Sequence, residues 1–300
     1  MVRAVDKVAR AWPTTRQTEL VERELADARR ENAALRKKVA ALKAQVAGGA
    51  AADELAKERE LTTRLRRRVH QLESEGALAT LPEGLAATVA RVRAEHLTLL
   101  QPTPLAELGH AMLDTELRGL EGLVVECGTA RGGSAIVLAS AKAPERVMKV
   151  YDVFGMIPPP TDRDGEDVHD RYRTIVEGRA QGVAGETYYG YRDSLYEEVE
   201  ASFARLGVPV DEAHVSLVKG LFQDTITGDE PVALAHLDGD WYESTRTCLE
   251  RIGPRVVSGG RLVIDDYFSW SGCRDAVDEF VASTPGFRRE LHSRLHLVRD

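Results

Sequence analysis

The sequence has 300 residues, of which 43% are hydrophobic, enough for one large domain with an additional segment or for two modest domains. A net charge of −8 argues against an enzyme that binds nucleic acid in a basic groove. The three cysteines are too scattered for a disulfide framework or a CxxC metal site. We find neither a leader-peptide pattern nor a run of about 18 apolar residues, so we expect a cytoplasmic chain without an integral membrane segment.

A heptad pattern in the N-terminal part predicts a coiled coil. After a start at 1–16 that we expect to be disordered, a coiled-coil helical region extends over 17–80. The apolar seam and the lone Asn32 at an a position favour a parallel two-stranded coil and therefore a homodimer. A single solvated amphipathic helix is the alternative. The a positions are Leu25, Asn32, Val39 and Val46, and the d positions are Val21, Ala28, Leu35 and Leu42.

A glycine-rich stretch, Gly122–Ser134, predicts a strand, a turn and the start of a helix. Its sequence is GLVVECGTARGGS, in which a short β-branched run precedes the glycines and an apolar helical pattern follows. Turns of this kind hold nucleotide-like cofactors at the carboxyl edge of a parallel sheet. The stretch contains neither GxGxxG nor GK[ST], so a dinucleotide fingerprint and a P-loop are both poorly supported. A nicotinamide oxidoreductase is therefore disfavoured.

From residue 84 to residue 300, strand and helix patterns alternate, which predicts an α/β domain with a doubly wound, mostly parallel sheet. The segment at about 155–193 is too long for a plain crossover, and we expect it to form a substrate lid. After the strand of the glycine-rich stretch, we predict strands at Val147–Phe154, His214–Gly220, Val232–Asp240 and Arg261–Tyr267, and an antiparallel hairpin at Phe287–Leu291 and Leu295–Arg299.

Aspartates follow three of the predicted strands. Asp152 ends one strand, where a carboxylate can accept hydrogen bonds from ribose hydroxyls. Asp238 and Asp240 lie at the end of the predicted strand Val232–Asp240, and Asp265 and Asp266 lie at the end of Arg261–Tyr267. If these last two strands are neighbours, their four carboxylates crowd one edge of the sheet and repel one another unless a cation lies among them. Oxygen ligands without clustered cysteine or histidine favour Mg²⁺ or Ca²⁺ over zinc.

Five segments, in this order and spacing, resemble the macrocin O-methyltransferase family: ECGTARGGS, YDVFGMIPPP, KGLFQDT, HLDGDWYEST and GGRLVIDDYFSWSGCRDAVDEF. The resemblance covers about residues 85–300, and its most distinctive feature is that DGDWYEST and IDDY occur together. It implies a class I methyltransferase-like Rossmann fold. It also implies an S-adenosylmethionine- and Mg²⁺-dependent enzyme that methylates a sugar hydroxyl of a glycosylated natural product or glycan.

The same resemblance implies roles for individual residues. Asp238 would be the general base and, with Asp265 and Asp266, a metal ligand. The spacing alone leaves open whether Asp238 or Asp240 is the ligand from the DGD pair. The cofactor would contact Glu126, Gly128, Thr129, Ser134, Asp152, Gly220, Leu221, Phe222 and Asp238.

Two other functions are compatible with these motifs. A catechol or another phenolic diol suits the same metal geometry as an acceptor, although an aromatic content of 6% gives this reading little help. Alternatively, the chain is a coiled-coil interaction protein whose methyltransferase-like domain is inactive. A missing glycine turn or a broken aspartate set would favour that alternative, and the sequence has neither defect.

Overall fold

The computed structural model describes residues 75–300 and, before them, residues 30, 33–35, 37, 39, 60–64 and 71. The chain divides into two units near residue 86, and the larger unit includes Ala87–Asp300. The predicted disordered start and most of the predicted coiled coil lie outside the described residues; of the heptad positions, Leu35 and Val39 are described, and both are helical. None of the helices within the described part is both long and apolar enough to cross a membrane.

Helices and strands alternate from residue 83 onward. The helices are α1 Glu83–Ala94, α2 Pro102–Leu117, α3 Gly133–Ala141, α4 Glu166–Val176, α5 Leu195–Arg205, α6 Phe222–Thr225, α7 Tyr242–Ile252 and α8 Ser271–Ser283. The strands are β1 Leu123–Cys127, β2 Met148–Asp152, β3 Val215–Lys219, β4 Val232–Leu237, β5 Val256–Ile264, β6 Phe287–Leu291 and β7 Leu295–Arg299.

The strands of the described residues form one mixed sheet in the order β3-β2-β1-β4-β5-β7-β6. Neighbouring strands among β1 to β5 are parallel, whereas β7 pairs antiparallel with both β5 and β6. The strand order switches direction between β1 and β4, the point at which doubly wound sheets bind ligands. The predicted doubly wound, mostly parallel sheet and its terminal hairpin are confirmed.

The central strands are apolar because neighbouring elements cover both faces of the sheet. Every residue of β1 (LVVEC) and of β4 (VALAHL) is buried, which is typical of parallel strands between two helical layers. On one face, a buried cluster joins Val125 and Leu237 of these strands to Leu249 of α7 and Val277 of α8. This burial fixes the carboxyl ends of β1 and β4 side by side.

The strand that carries the first aspartate pair ends earlier than the sequence predicted. We expected it to extend to Asp240, whereas β4 ends at Leu237. The following N–H, that of Asp238, donates to the Cys127 carbonyl oxygen (2.8 Å), and Asp240 has a left-handed φ of 54°. The chain therefore leaves the sheet at Asp238, and both aspartates lie beyond the end of the strand.

The segment predicted as a lid, at about 155–193, is folded. It contains α4 and has a small buried core in which Ile175 and Tyr188 take part. The carboxylate of Asp164 accepts a hydrogen bond from the backbone N–H of Tyr242 (2.8 Å), the first residue of α7. The segment is thus attached to the helix that follows the first aspartate pair.

The burial of His296 predicts a dependence of stability on pH. Its imidazole is 2% exposed in β7, and neither ring nitrogen has a hydrogen-bond partner among the described residues. Burial, assisted by the charges of His292 and Arg261, lowers the pKa of His296 to about 3. The unfolded chain gives histidine a pKa of about 6.5, so below that pH it binds a proton that the folded chain excludes.

Urea denaturation of the wild type and of His296→Leu, between about pH 7 and pH 4.5, measures this contribution. We expect the unfolding free energy of the wild type to fall more steeply as the pH is lowered, by about 1.4 kcal/mol per pH unit relative to the variant. Parallel slopes for the two proteins would contradict the prediction.

Candidate active site

Backbone contacts hold the glycine turn against the segment that follows β4. The Gly128 N–H donates to the Tyr151 carbonyl oxygen (2.8 Å), which ties the turn to β2. A Cβ on Gly128 would lie 2.0 Å from the Asp238 carbonyl oxygen, and Gly128 has a φ of +84°. The close approach and the left-handed backbone both require glycine. The turn and Asp238 are therefore adjacent, as the sequence predicted.

A buried polar network lies beneath this contact. Glu126 in β1 is fully buried; one of its carboxylate oxygens accepts a hydrogen bond from the Ser134 hydroxyl, and the other lies 3.1 Å from His236 Nδ1. His236 Nε2 lies 3.6 Å from an oxygen of Asp265. Although burial lowers the pKa of His236, the charge and hydrogen bond of Glu126 and the charge of Asp265 outweigh it and raise that pKa to about 10. A protonated His236 therefore connects the strand of the glycine turn to the second aspartate pair.

Three carboxylates converge at the ends of β4 and β5. Asp238, Asp265 and Asp266 each offer one oxygen, and these oxygens all lie within 4.8 Å of one another. Burial and the neighbouring carboxylates raise the pKa of Asp238 and of Asp266 well above its usual range. Burial acts in the same direction on Asp265, but His236 and Arg294, whose Nε lies 2.6 Å from Asp265, lower its pKa.

Repulsion among these carboxylates is therefore only partly compensated by the protein itself. One oxygen of Asp266 is buried and has no hydrogen-bond partner among the described residues. A group of this kind attracts a cation, which would favour the ionised form of all three carboxylates. The donor set consists of oxygens alone, which suits Mg²⁺ or Ca²⁺.

Asp240 lies in a different environment from Asp238. Its carboxylate accepts a hydrogen bond from Trp270 Nε1 (3.1 Å) and is not one of the three convergent groups. Burial raises the pKa of Asp240 to about 7; the charges of Asp265 and Asp152 add to this shift, whereas the Trp270 hydrogen bond and the charge of Arg171 oppose it. Of the DGD pair, the geometry thus favours Asp238 as the metal ligand and places Asp240 beside the three convergent carboxylates, not among them.

Asp152, at the end of β2, directs its carboxylate at backbone donors of the site. It accepts hydrogen bonds from the N–H groups of Thr129 (2.7 Å) and Phe154 (2.6 Å). Burial nevertheless raises its pKa, because the loss of hydration outweighs these hydrogen bonds. Asp152 therefore fixes the glycine turn against the start of the lid segment.

Two adjoining cavities occupy the carboxyl edge of the sheet, with volumes of about 480 Å³ and about 270 Å³. Gly128, Asp152 and Asp238 line both cavities. Leu221 and Phe222 line the larger one, and the convergent carboxylates open into the smaller one. The glycine turn and the convergent carboxylates therefore line the same smaller cavity, which shares Gly128, Asp152 and Asp238 with the larger one.

The structure brings most of the predicted cofactor residues to these cavities. Thr129 and Ser134 line the smaller cavity. Glu126 and Gly220 are not among the lining residues. Glu126 holds Ser134 from behind, and the Gly220 N–H donates to the Asp152 carbonyl oxygen (2.9 Å). These two residues support the site from outside the cavities.

The sequence did not identify several residues that line the smaller cavity. Arg294 lies in the turn of the terminal hairpin, and Arg171 and Tyr188 belong to the lid segment. The only available signals were that the hairpin follows the strand ending in Asp265 and that the lid carries several tyrosines. Neither signal specifies which side chain points inward.

Comparison with known proteins identifies relatives of this chain. It is 36% identical over 168 residues to the 8-demethyl-8-(2,3-dimethoxy-alpha-L-rhamnosyl)-tetracenomycin-C 4'-O-methyltransferase of Streptomyces olivaceus. The aligned residues cover 54% of this chain and 59% of that protein. It is 33% identical over 167 residues to the demethyldecarbamoylnovobiocin O-methyltransferase of Streptomyces niveus, with coverages of 54% and 58%. The chain thus matches less than two thirds of the length of these relatives.

The solved structure of the O-methyltransferase NovP has the same fold: a TM-score of 0.59 at 23% identity, with 77% of this chain and 99% of that chain covered. The fold is therefore the Rossmann-like class I methyltransferase fold. The sequence model of the family described as macrocin-O-methyltransferase (TylF) matches residues 93–291, which is more than half of the chain and includes the glycine turn and all five aspartates of the site. This chain belongs to the macrocin-O-methyltransferase family.

Proposed function

We propose that this chain is a cytoplasmic S-adenosylmethionine- and Mg²⁺-dependent O-methyltransferase that acts on a sugar hydroxyl of a glycosylated natural product or glycan. One observation carries the proposal: Asp238, Asp265 and Asp266 converge at a cavity that the glycine turn also lines. Family membership and relatives named for sugar-bearing antibiotics support the choice of acceptor. Three free, buried cysteines agree with a reducing compartment.

The two cavities fit the cofactor in chemistry as well as in position. S-adenosylmethionine supplies an electrophilic sulfonium methyl group when it is bound. We assign its contacts to Gly128, Thr129, Ser134, Asp152, Leu221, Phe222 and Asp238, with Glu126 and Gly220 as supporting residues. The Gly128–Asp238 contact keeps this surface free of a side chain that would obstruct the cofactor.

The convergent carboxylates fit a divalent cation. Asp238, Asp265 and Asp266 would hold Mg²⁺, since their oxygens are close together and one oxygen of Asp266 has no partner among the described residues. A bound Mg²⁺ supplies Lewis-acid polarisation of an acceptor hydroxyl. His236 and Arg294 both approach the same oxygen of Asp265, which leaves the other oxygen of that carboxylate for the cation.

The proton of the acceptor hydroxyl needs a base that is not committed to the cation. Asp238 was the candidate from sequence, but a carboxylate that ligates a cation is a weaker base. Asp240 lies outside the convergent group and lines the smaller cavity beside it, so its carboxylate is free to accept the proton of a hydroxyl that the cation polarises. We therefore assign the proton transfer to Asp240 and the metal contact to Asp238.

Asparagine substitutions separate these two roles. Asp240→Asn leaves the convergent carboxylates intact, so we expect Mg²⁺ still to raise the melting temperature while turnover falls about 100-fold or more. Asp238→Asn should lose both the Mg²⁺ effect and turnover. Formation of S-adenosylhomocysteine from a panel of glycosides with vicinal diols measures turnover. If Asp240→Asn retained near-normal turnover, Asp240 would not be the general base, and Asp238 would again be the candidate.

Thermal unfolding with S-adenosylhomocysteine tests the cofactor and the metal before any acceptor is known. A ligand at about 100 times its Kd stabilises by about 2.7 kcal/mol, or about 5 to 10 °C for a domain of this size. Mg²⁺ should give an additional upward shift that EDTA removes, because it relieves repulsion among the carboxylates. If neither compound changes the melting temperature, the coiled-coil interaction protein with an inactive domain becomes the better account.

We also propose that the heptad segment pairs in parallel to form a homodimer; this proposal rests on the sequence pattern. Sedimentation velocity of the full chain should give the mass of a dimer. Leu35→Glu, at a d position, should give a monomer, whereas Ala34→Glu, next to it and exposed, should leave the dimer intact. A monomeric wild-type protein would rule this proposal out.

A further inference from the structure

Arg171 is a half-buried cation in α4 that makes no ion pair within 4.0 Å with a described residue, although its charge favours the ionised form of Asp240, which lines the same cavity. Its guanidinium lies over the ring of Tyr188, 5.6 Å from the ring centroid. Its helix neighbour Arg173, by contrast, pairs with Asp170. Asp240 supplies a charge but no contact, so the donors of this half-buried guanidinium remain available to an anionic ligand.

Nearby arginines around the smaller cavity are already committed. Arg294 pairs with Asp265 (2.6 Å), and Arg131 in the glycine turn pairs with Glu186 (2.7 Å). Of the arginines that line the smaller cavity in the described part of the chain, Arg171 is thus the one whose donors remain available.

The lid segment is fixed against the glycine turn on the same side of the cavity. Glu186 accepts a hydrogen bond from Arg131 and lies 2.8 Å from Nδ1 of His96. Two residues further along the chain, Tyr188 is 2% exposed and supports the Arg171 guanidinium. This arrangement places Arg171 in one cavity with residues 98–100 and with Ala130 and Ser134 of the glycine turn.

We infer that Arg171 binds the α-carboxylate of the methionine moiety of S-adenosylmethionine. The inference rests on the proposed function. The planar guanidinium matches a carboxylate in a two-bond geometry, which lysine does not reproduce. Because Arg171 belongs to α4, this contact joins the lid segment to the cofactor. It also makes the amino-acid end of the cofactor a determinant of the affinity for the cofactor.

Isothermal titration of the full chain with two probes tests the inference. S-adenosylhomocysteine carries the carboxylate, whereas 5'-methylthioadenosine has the same adenosine and sulfur but lacks the amino-acid end. We expect Arg171→Met to weaken S-adenosylhomocysteine binding by about 10- to 100-fold and to leave 5'-methylthioadenosine binding within about twofold. Arg171→Lys should lie between the wild type and Arg171→Met, since the charge remains but the fork is lost.

Arg173→Met is the matched control: it removes a neighbouring exposed arginine of the same helix and should change neither affinity. If Arg171→Met lost affinity for both probes equally, the inference would be overturned, because Arg171 would then have a structural role only. Unchanged affinity for both probes would overturn it as well, and would leave the free cation for an anionic group of the acceptor. If the wild type binds neither probe, the proposed function itself fails, and this inference fails with it.

Discussion

The contact between Gly128 and the Asp238 carbonyl group is the constraint on which the site depends. It presses the turn after β1 onto the segment after β4, with no room for a side chain between the two backbones. Two parts of the chain that are far apart in sequence thereby become one surface. The cofactor turn and the first carboxylate of the metal group are consequently set by backbone packing, which is stiffer than any side-chain contact.

Electrostatics then divides the aspartates into groups with different tasks. His236 and Arg294 compensate Asp265, backbone N–H groups hold Asp152, and Trp270 holds Asp240. Asp238 and Asp266 receive the least compensation, and burial raises the pKa of both. The differences arise from neighbours on other strands, so five residues of one type acquire distinct chemistry within one cavity.

The sequence was sufficient for the features that depend on strand order and strand ends. Because parallel strands have their carboxyl ends at one edge of the sheet, the sequence alone predicted that the glycine turn and the aspartate pairs lie together at that edge. The sequence was insufficient where a side chain has several possible hydrogen-bond or ion-pair partners. Glu126 was expected at the cofactor but turns toward Ser134 and His236, and Arg294 was missed because the partner of a hairpin-turn residue is set by β5–β7 pairing. Periodicity indicates a face of the sheet, not a contact.

The position of Arg294 has a consequence for biosynthesis. The ribosome produces Asp238, Asp265 and Asp266 before it produces the guanidinium that compensates Asp265. β7, which follows the hairpin turn at 292–294 directly, lies between β5 and β6. A nascent chain that has not yet produced the hairpin lacks Arg294, so that Asp265 keeps only His236 of its two cationic partners. The charge balance of the acidic edge is therefore complete only once β6 and β7 have been synthesised and have paired.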